Sequence, residues 1–346
     1  MRFSDLIDEK CFNIWRYNKL YQELVKSKFR LSLGEGWTKE EDFSKLTKKL
    51  NLPNFYLKRE DLNPLGSFKV RGLAYQISRA WQNGKREFSV SSTGNSALAA
   101  AALCKRANLK LFIFFHPRPK SKEKREKILK KIKSFNPEKI FLEKEPTKRC
   151  QEFSKAKKIY NLTPSFDRYS FEGFKSIGFE IFERILQNEP LPAASGGVSR
   201  RERDKNFGRL SSQPSQGMRY PRRRNKKLED LAIFSFSSSG SSLIGIGESF
   251  RFLAKKNFLK KLPRFYPVKI DKIKREGEIK KLVKESKGKI LEILPEGVRK
   301  AQDFLSRFKI KTSIEGICAF EGFLQVYKVK EIKNAIIILS GKKWDN

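Results

Sequence analysis

A single histidine, His116, serves a chain of 346 residues. That scarcity excludes a metal site built from several imidazoles and most acid–base chemistry that relies on histidine near neutral pH. His116 closes an apolar, strand-like run from Leu111 to Phe115 and precedes Pro117, so it reads as a loop position. Cysteine is nearly as scarce. Cys11, Cys104, Cys150 and Cys318 form no C-x-x-C pair, and neither a zinc ribbon nor a disulfide framework is expected. No apolar run approaches the roughly 20 residues a membrane helix needs. The start, Met1-Arg2-Phe3-Ser4-Asp5-Leu6-Ile7-Asp8-Glu9-Lys10, carries acids where a signal peptide would be apolar. The expectation is a cytoplasmic protein with no membrane partner. Acids are themselves in short supply: 38 Asp and Glu against 76 Lys and Arg leave a formal net charge of +38. Such a charge ordinarily points to a polyanion. Here the lysines are scattered and accompanied by many Phe and Ile, the mixture that A/T-rich codons give. A nucleic-acid partner is therefore not expected, although the phosphates of small ligands would feel the positive field.

What is present describes a folded α/β chain. Hydrophobic residues make up 38%, enough for a sizeable core. Residues 86–116 read as a βαβ unit: a short strand at Phe88-Ser89-Val90, a turn at Ser91-Ser92-Thr93-Gly94-Asn95-Ser96, a helix over Ala97 to Ala107, and a continuous apolar strand over Leu111 to Phe115. Continuous rather than alternating strands belong to parallel sheets covered on both faces. The theme returns in a helical period over Phe174 to Leu186, a strand over Leu231 to Phe236 and another over Ala335 to Leu339. The fold class is α/β, with open parallel-rich sheets and helices on both faces. Residues 192–227 break the pattern. They exchange lysine for arginine and fill with Ser, Gly and Pro, as in Ser199-Arg200-Arg201-Glu202-Arg203 and Arg222-Arg223-Arg224-Asn225. They read as a disordered basic surface insertion, with a nucleic-acid tail or an inserted foreign reading frame as the alternatives.

The chemistry concentrates in Leu57-Lys58-Arg59-Glu60-Asp61-Leu62-Asn63-Pro64-Leu65-Gly66-Ser67-Phe68-Lys69-Val70-Arg71-Gly72. Asn63-Pro64 and Gly66 force a turn, and Lys69 then opens a predicted helix. A lysine at a helix N-terminus beside other cations is disfavoured as an ammonium, which makes its free amine available as a nucleophile.

This segment resembles the cofactor-lysine motif K-R-E-D-x-N-P-T-G-S-F-K of the fold-type-II pyridoxal-phosphate enzymes. Three further blocks follow in the family's order. Ser91 to Ser96 resembles the S-T-G-N-T loop. Ser238-Ser239-Gly240-Ser241-Ser242 stands where the glycine-rich phosphate loop belongs, and Leu339-Ser340-Gly341 where a terminal strand presents a hydroxyl to the pyridine nitrogen. The resemblance implies a two-domain fold and pyridoxal 5'-phosphate as cofactor, carried by Lys69. It also implies that Asn95 faces the cofactor ring, that Ser238, Ser239, Gly240, Ser241 and Ser242 hold its phosphate, and that Ser340 meets its nitrogen. Ser92, Thr93, Gly94 and Ser96 would hold the substrate carboxylate.

Within that family the chain is most similar to threonine synthase. Ile14-Trp15-Arg16-Tyr17 resembles L-W-R-Y, Ser32-Leu33-Gly34-Glu35-Gly36-Trp37-Thr38 resembles L-G-E-G-x-T-P, and Phe171-Glu172-Gly173-Phe174-Lys175-Ser176 resembles L-E-G-x-K-T. The resemblance implies conversion of an amino-acid phosphate, O-phospho-L-homoserine, with water to L-threonine and phosphate. It further implies a homodimer, a large domain from residues 1–70 and 172–346, and a smaller one from 71–171. Threonine or serine dehydration is the alternative activity, and a catalytically impaired binding protein the alternative class. Departures from the pattern are Lys39 for Pro, Leu65 for Thr, and Ser for several glycines of the phosphate loop. The E-P-x-S-A motif is only Glu315-Gly316-Ile317-Cys318-Ala319. The family's Asn-Ser pair and the Arg ahead of L-E-G, which take the substrate phosphate, are Pro164, Ser165 and Ser170 here. Ser165 and Arg168, two residues before Ser170, are the expected phosphate ligands of that segment.

Overall fold

The structure, a computed structural model, describes residues 1–43, 47, 52–92, 94–116, 122–164, 166, 167, 169–186, 230–327 and 332–343. The expected insertion at 192–227 lies outside the described residues. The chain divides into one unit of Met1–Phe179 with Glu229–Asn346 and a second of Glu180–Leu228. The strands are β1 (Glu40–Asp42), β2 (Asn54–Lys58), β3 (Glu87–Ser91), β4 (Lys110–Phe115), β5 (Lys139–Leu142), β6 (Tyr160–Asn161), β7 (Leu231–Phe236), β8 (Arg264–Lys269), β9 (Leu291–Glu292) and β10 (Asn334–Ile338). The α-helices are α1 (Lys69–Gln82), α2 (Asn95–Arg106), α3 (Lys122–Lys133), α4 (Pro146–Lys157), α5 (Lys175–Ile181), α6 (Ser241–Lys255), α7 (Glu276–Ser286), α8 (Pro295–Arg307) and α9 (Ile314–Tyr327).

Two sheets result. One has the order β1-β2-β10-β7-β8-β9 and is parallel except for β1, which runs antiparallel to β2. The other, β5-β4-β3-β6, is parallel throughout. Every residue of β10 is buried, as is all of β7 but its last. A strand can be apolar on both sides only if both faces of its sheet are covered. On one face, α8 and α9 pack Ala301, Leu305, Ile317, Phe320 and Phe323 onto Phe55, Leu57, Phe234, Ala335 and Ile337. The many phenylalanines find each other there: Phe234 stacks on Tyr266 with centroids 4.7 Å apart, and Phe55 lies 5.2 Å from Phe323.

The βαβ expectation holds, with β3 and β4 in parallel register. The strand expected at 231–236 has those bounds, whereas the one expected to end at Leu339 ends at Ile338. α2 is Ala-rich and buried from Ala97 to Cys104, which suits a helix enclosed by its neighbours, and it ends on Lys105 and Arg106, complementing its dipole. The carboxyl ends of β7 and β10 lead directly into the Ser-rich loop and Ser340. Open α/β sheets take their ligands at such strand ends.

Candidate active site

Lys69 is the first residue of α1. The turn before it places Leu65 and Gly66 at φ 63° and 71°, a conformation that costs a leucine about 1–2 kcal/mol and glycine little. Gly66 also allows a close approach: a Cβ there would lie 2.3 Å from Lys342 Cδ. The next residues are stitched to the chain beyond β10. The Phe68 amide and the Ser67 hydroxyl both donate to Ser340 O at 3.2 Å, and the Lys342 amide donates to Gly66 O at 2.8 Å. Lys69 and Ser340 are thereby fixed on one cleft.

The cleft encloses about 430 Å³, including space open to solvent. Of the expected residues, Lys69, Asn95, Ser238, Ser239, Ser242 and Ser340 line it together. Gly240 and Ser241 belong to the same loop without lining the cleft. Ser92, Gly94 and Ser96 flank Asn95 at the start of α2 and do not line it either. Thr93, Ser165 and Arg168 lie outside the described residues.

The Lys69 amine stands 4.7 Å from the Phe68 ring centroid and 5.9 Å from that of Phe174. Burial pulls its pKa down to about 8, against the opposing attraction of the Glu315 carboxylate. About one amine in ten is then uncharged at pH 7, far more than for a lysine of ordinary basicity, as a nucleophile or base requires. Across the cleft, the Ser-rich loop turns through Gly240 at φ 84° into the 15-residue α6. A Cβ at Gly240 would press on Ile279, Arg275 and Ile273 at 3.2–3.4 Å, so this is the one glycine the loop cannot exchange for serine. The N–H groups of Ser242 and Leu243 in the first turn of α6 are of the kind that bind a phosphate dianion.

Beneath Lys69 lies a buried ionic network. Arg71 donates from Nε and one terminal nitrogen to the two oxygens of Glu60, both at 2.7 Å, and from the other terminal nitrogen to Ser176 Oγ at 2.9 Å. Thr38 and Asn63 donate to the same carboxylate at 2.6 and 2.7 Å. Lys58, fully buried, lies 3.9 Å from it and donates to Thr38 O at 2.9 Å. The K-R-E-D stretch and Thr38 are thus the floor under the lysine helix. Glu35, fully buried, takes N–H and O–H donors from Leu33 and Ser32 on one oxygen, while the other has no partner among the described residues, and burial pushes its pKa up to about 7.

Phe236, Ser313 and Glu315 also line the cleft and are not among the expected site residues. Glu315 is the second residue of α9, and its partial E-P-x-S-A context did not place it beside Lys69.

Residues 31–197 match the family described as pyridoxal-phosphate dependent enzyme. Threonine synthase of Methanocaldococcus jannaschii is 31% identical over 202 residues, which is 56% of this chain and 48% of that protein. Threonine synthase of Methanosarcina acetivorans is 27% identical over 196 residues, 54% and 46% of the two. The chain spans about half the length of these relatives. Among solved structures, the processed form of threonine deaminase isoform 2 from Solanum lycopersicum superposes with a TM-score of 0.60 at 17% identity, covering 89% of this chain and 80% of that one. Serine racemase from Dictyostelium discoideum gives 0.63 at 14% identity, covering 89% and 93%. These likenesses show the fold, that of the fold-type-II pyridoxal-phosphate enzymes.

Proposed function

We propose, for a chain whose residues 31–197 match the pyridoxal-phosphate dependent enzyme family, a threonine synthase-like lyase reaction in which O-phospho-L-homoserine and water give L-threonine and phosphate. The observation that carries the reading is the Lys69 amine, depressed to about 8, in a cleft with Asn95, the Ser-rich loop and Ser340. The residues present fit the cofactor. An amine near neutrality suits covalent attachment, the start of α6 suits a phosphate, and a hydroxyl at Ser340 suits a pyridine nitrogen without demanding its protonation. When bound, the cofactor supplies an electron sink for carbanions next to the amino group.

The chain's own residues would do the rest. As a free amine, Lys69 would take the proton from Cα, pass it on and then take one from Cβ, so that the γ-phosphate could leave with the electrons of its C–O bond. Water would add its hydroxyl at Cβ, with protons returned to Cγ and Cα. The chain's one histidine, His116, does not line the cleft, and Lys69 is the proton carrier. Phe68 and Phe174 keep water from the amine. Asn95 orients the ring, and the segment from Ser92 to Ser96 holds the substrate carboxylate.

The test supplies purified protein and pyridoxal phosphate with phosphohomoserine and follows threonine and phosphate against ammonia and 2-oxo acid. Equimolar threonine and phosphate are expected, and Lys69→Ala should abolish both the turnover and the visible absorbance of the bound cofactor. Borohydride reduction that labels another lysine would overturn the assignment of Lys69. Ammonia release without phosphate release would make the chain a dehydratase.

A further inference from the structure

The segment from Pro164 to Ser170 lacks the arginine that the resemblance expects at Ser170, yet a guanidinium reaches it from elsewhere. Arg275 stands at the residue before α7, with its backbone fixed on the Ser-rich loop: its amide donates to Ser239 O at 3.3 Å, and that of Lys274 donates to Ser238 O at 3.0 Å. One terminal nitrogen of its side chain donates to Pro164 O at 3.1 Å and Asp167 O at 2.8 Å, and lies 3.5 Å from Ser170 Oγ. The Ser170 hydroxyl is in turn 3.2 Å from Ser241 Oγ, at the first residue of α6. Arg275 therefore joins the two pieces of chain that the family uses for phosphates. A serine at 170 leaves room for that guanidinium, and an arginine there would meet it head-on.

The electrostatics point the same way. The side chain of Arg275 is only 14% exposed, while its carboxylate partner Glu278, at 3.1 Å, is 50% exposed. An ion pair with one member in water is strongly screened, so the corner keeps a net positive field. The Arg275 Nε is buried with no partner among the described residues. A buried donor left unmet is costly unless a ligand or water takes it.

We propose that Arg275, which is bonded to the Ser-rich loop without itself lining the cleft, is the positioning cation for a phosphate monoester bound there, in place of the arginine that the segment lacks at Ser170. The inference rests on the functional reading above. The phosphate is the cofactor's or the substrate's, and the experiment separates the two.

Wild type, Arg275→Gln, Arg275→Lys, Glu278→Gln and the double variant Arg275→Gln with Ser170→Arg are compared. Three constants are measured: pyridoxal phosphate dissociation from cofactor-free protein by absorbance, inorganic phosphate dissociation from holoenzyme by calorimetry, and the Michaelis constant for phosphohomoserine alongside kcat. Arg275→Gln should weaken phosphate binding about tenfold, the order expected for losing a partly buried cation beside the bound anion, with kcat nearly unchanged. The lysine variant should recover part of the loss and the double variant most of it. Glu278→Gln should tighten binding about two- to fivefold, the worth of an exposed counter-charge. A change confined to the Michaelis constant and inorganic phosphate assigns the substrate's phosphate, and one in cofactor dissociation assigns the cofactor's. Constants within about twofold of wild type in both Arg275→Gln and Glu278→Gln would overturn the proposal. Should Arg275→Gln fail to fold, the exposed Glu278→Gln decides alone by the same criterion. A wild type that binds cofactor but never releases phosphate from phosphohomoserine would sink the functional reading, while cofactor and inorganic phosphate binding would still decide the role of Arg275.

Discussion

Replacing Glu60 by alanine should destabilise the protein more than almost any other single truncation near the cleft. The carboxylate receives two 2.7 Å contacts from Arg71, one from Asn63 and a 2.6 Å bond from Thr38, with every partner buried. Without it, Arg71 loses both of its 2.7 Å charged contacts while its bond to Ser176 remains, and Lys58 loses a neighbour at 3.9 Å but keeps its ion pair with Glu40. Removing one member of a buried pair costs about 3–5 kcal/mol, because the other charge stays in the interior uncompensated. That is about a fifth or more of the roughly 5–15 kcal/mol that holds a domain folded. At about 2 °C per kcal/mol, the lower end of the range for larger chains, the melting temperature should fall by about 6–10 °C. Thermal melts with urea titrations measure this. The companion variant, Glu60→Leu with Arg71→Met, removes both charges and should return most of the loss. Because Arg71 is two residues beyond Lys69 on α1, the visible absorbance of bound cofactor should weaken in Glu60→Ala at temperatures below its melt. A loss under about 1 kcal/mol, or a double variant no better than the single one, would refute the reasoning about the floor of the site.

Two further outcomes follow from protonation. Glu35 titrates near 7 in the native state against an ordinary 4.5, so below about pH 4.5 both states hold the proton and nothing is lost. Between those values the unfolded chain gives up its proton first, and stability should fall by about 3 kcal/mol as pH rises to 7. Glu35→Gln should flatten that slope, and an unchanged pH profile of melting would dismiss the assignment. For Lys69, capture of pyridoxal phosphate by cofactor-free protein should accelerate about tenfold per pH unit and level off near pH 8. A rate still climbing at pH 10 would show an amine of ordinary basicity.

Much of the scaffold was legible because its signals are local. The apolar run Leu231 to Phe236 has no other use than a strand covered on both sides, and Gly66 ahead of Lys69 marks a turn into a helix whatever surrounds it. Ser340 is placed by the resemblance of Leu339-Ser340-Gly341 to the family's terminal block. Glu315 is not: it stands in a partial E-P-x-S-A motif near the start of α9, and only the tertiary fold sets it beside Lys69. Arg275 was hidden for the opposite reason, as one cation among 76. Burial of Lys58 and Arg71 runs against the ordinary partition of charge, and the clue to it was the run Lys58-Arg59-Glu60-Asp61, whose opposite signs compensate each other.

The position of β10 governs when the protein becomes an enzyme-shaped object during synthesis. Among the described strands it comes last in chain order and is an interior one, between β2 and β7, and the Ser67 to Ser340 hydrogen bond closes over 273 residues. A nascent chain still short of residues 334–342 exposes two sheet edges at once, with Phe55 and Leu57 on one and Ile233 and Phe234 on the other. Such edges invite pairing with other chains until their own partner arrives. The turn that delivers Lys69 has nothing to lean on during that interval, since Gly66, Ser67 and Phe68 all bond to the missing stretch. A ribosome stalled within β10 would therefore hold a chain with its lysine helix formed and its cofactor pocket open along one whole side.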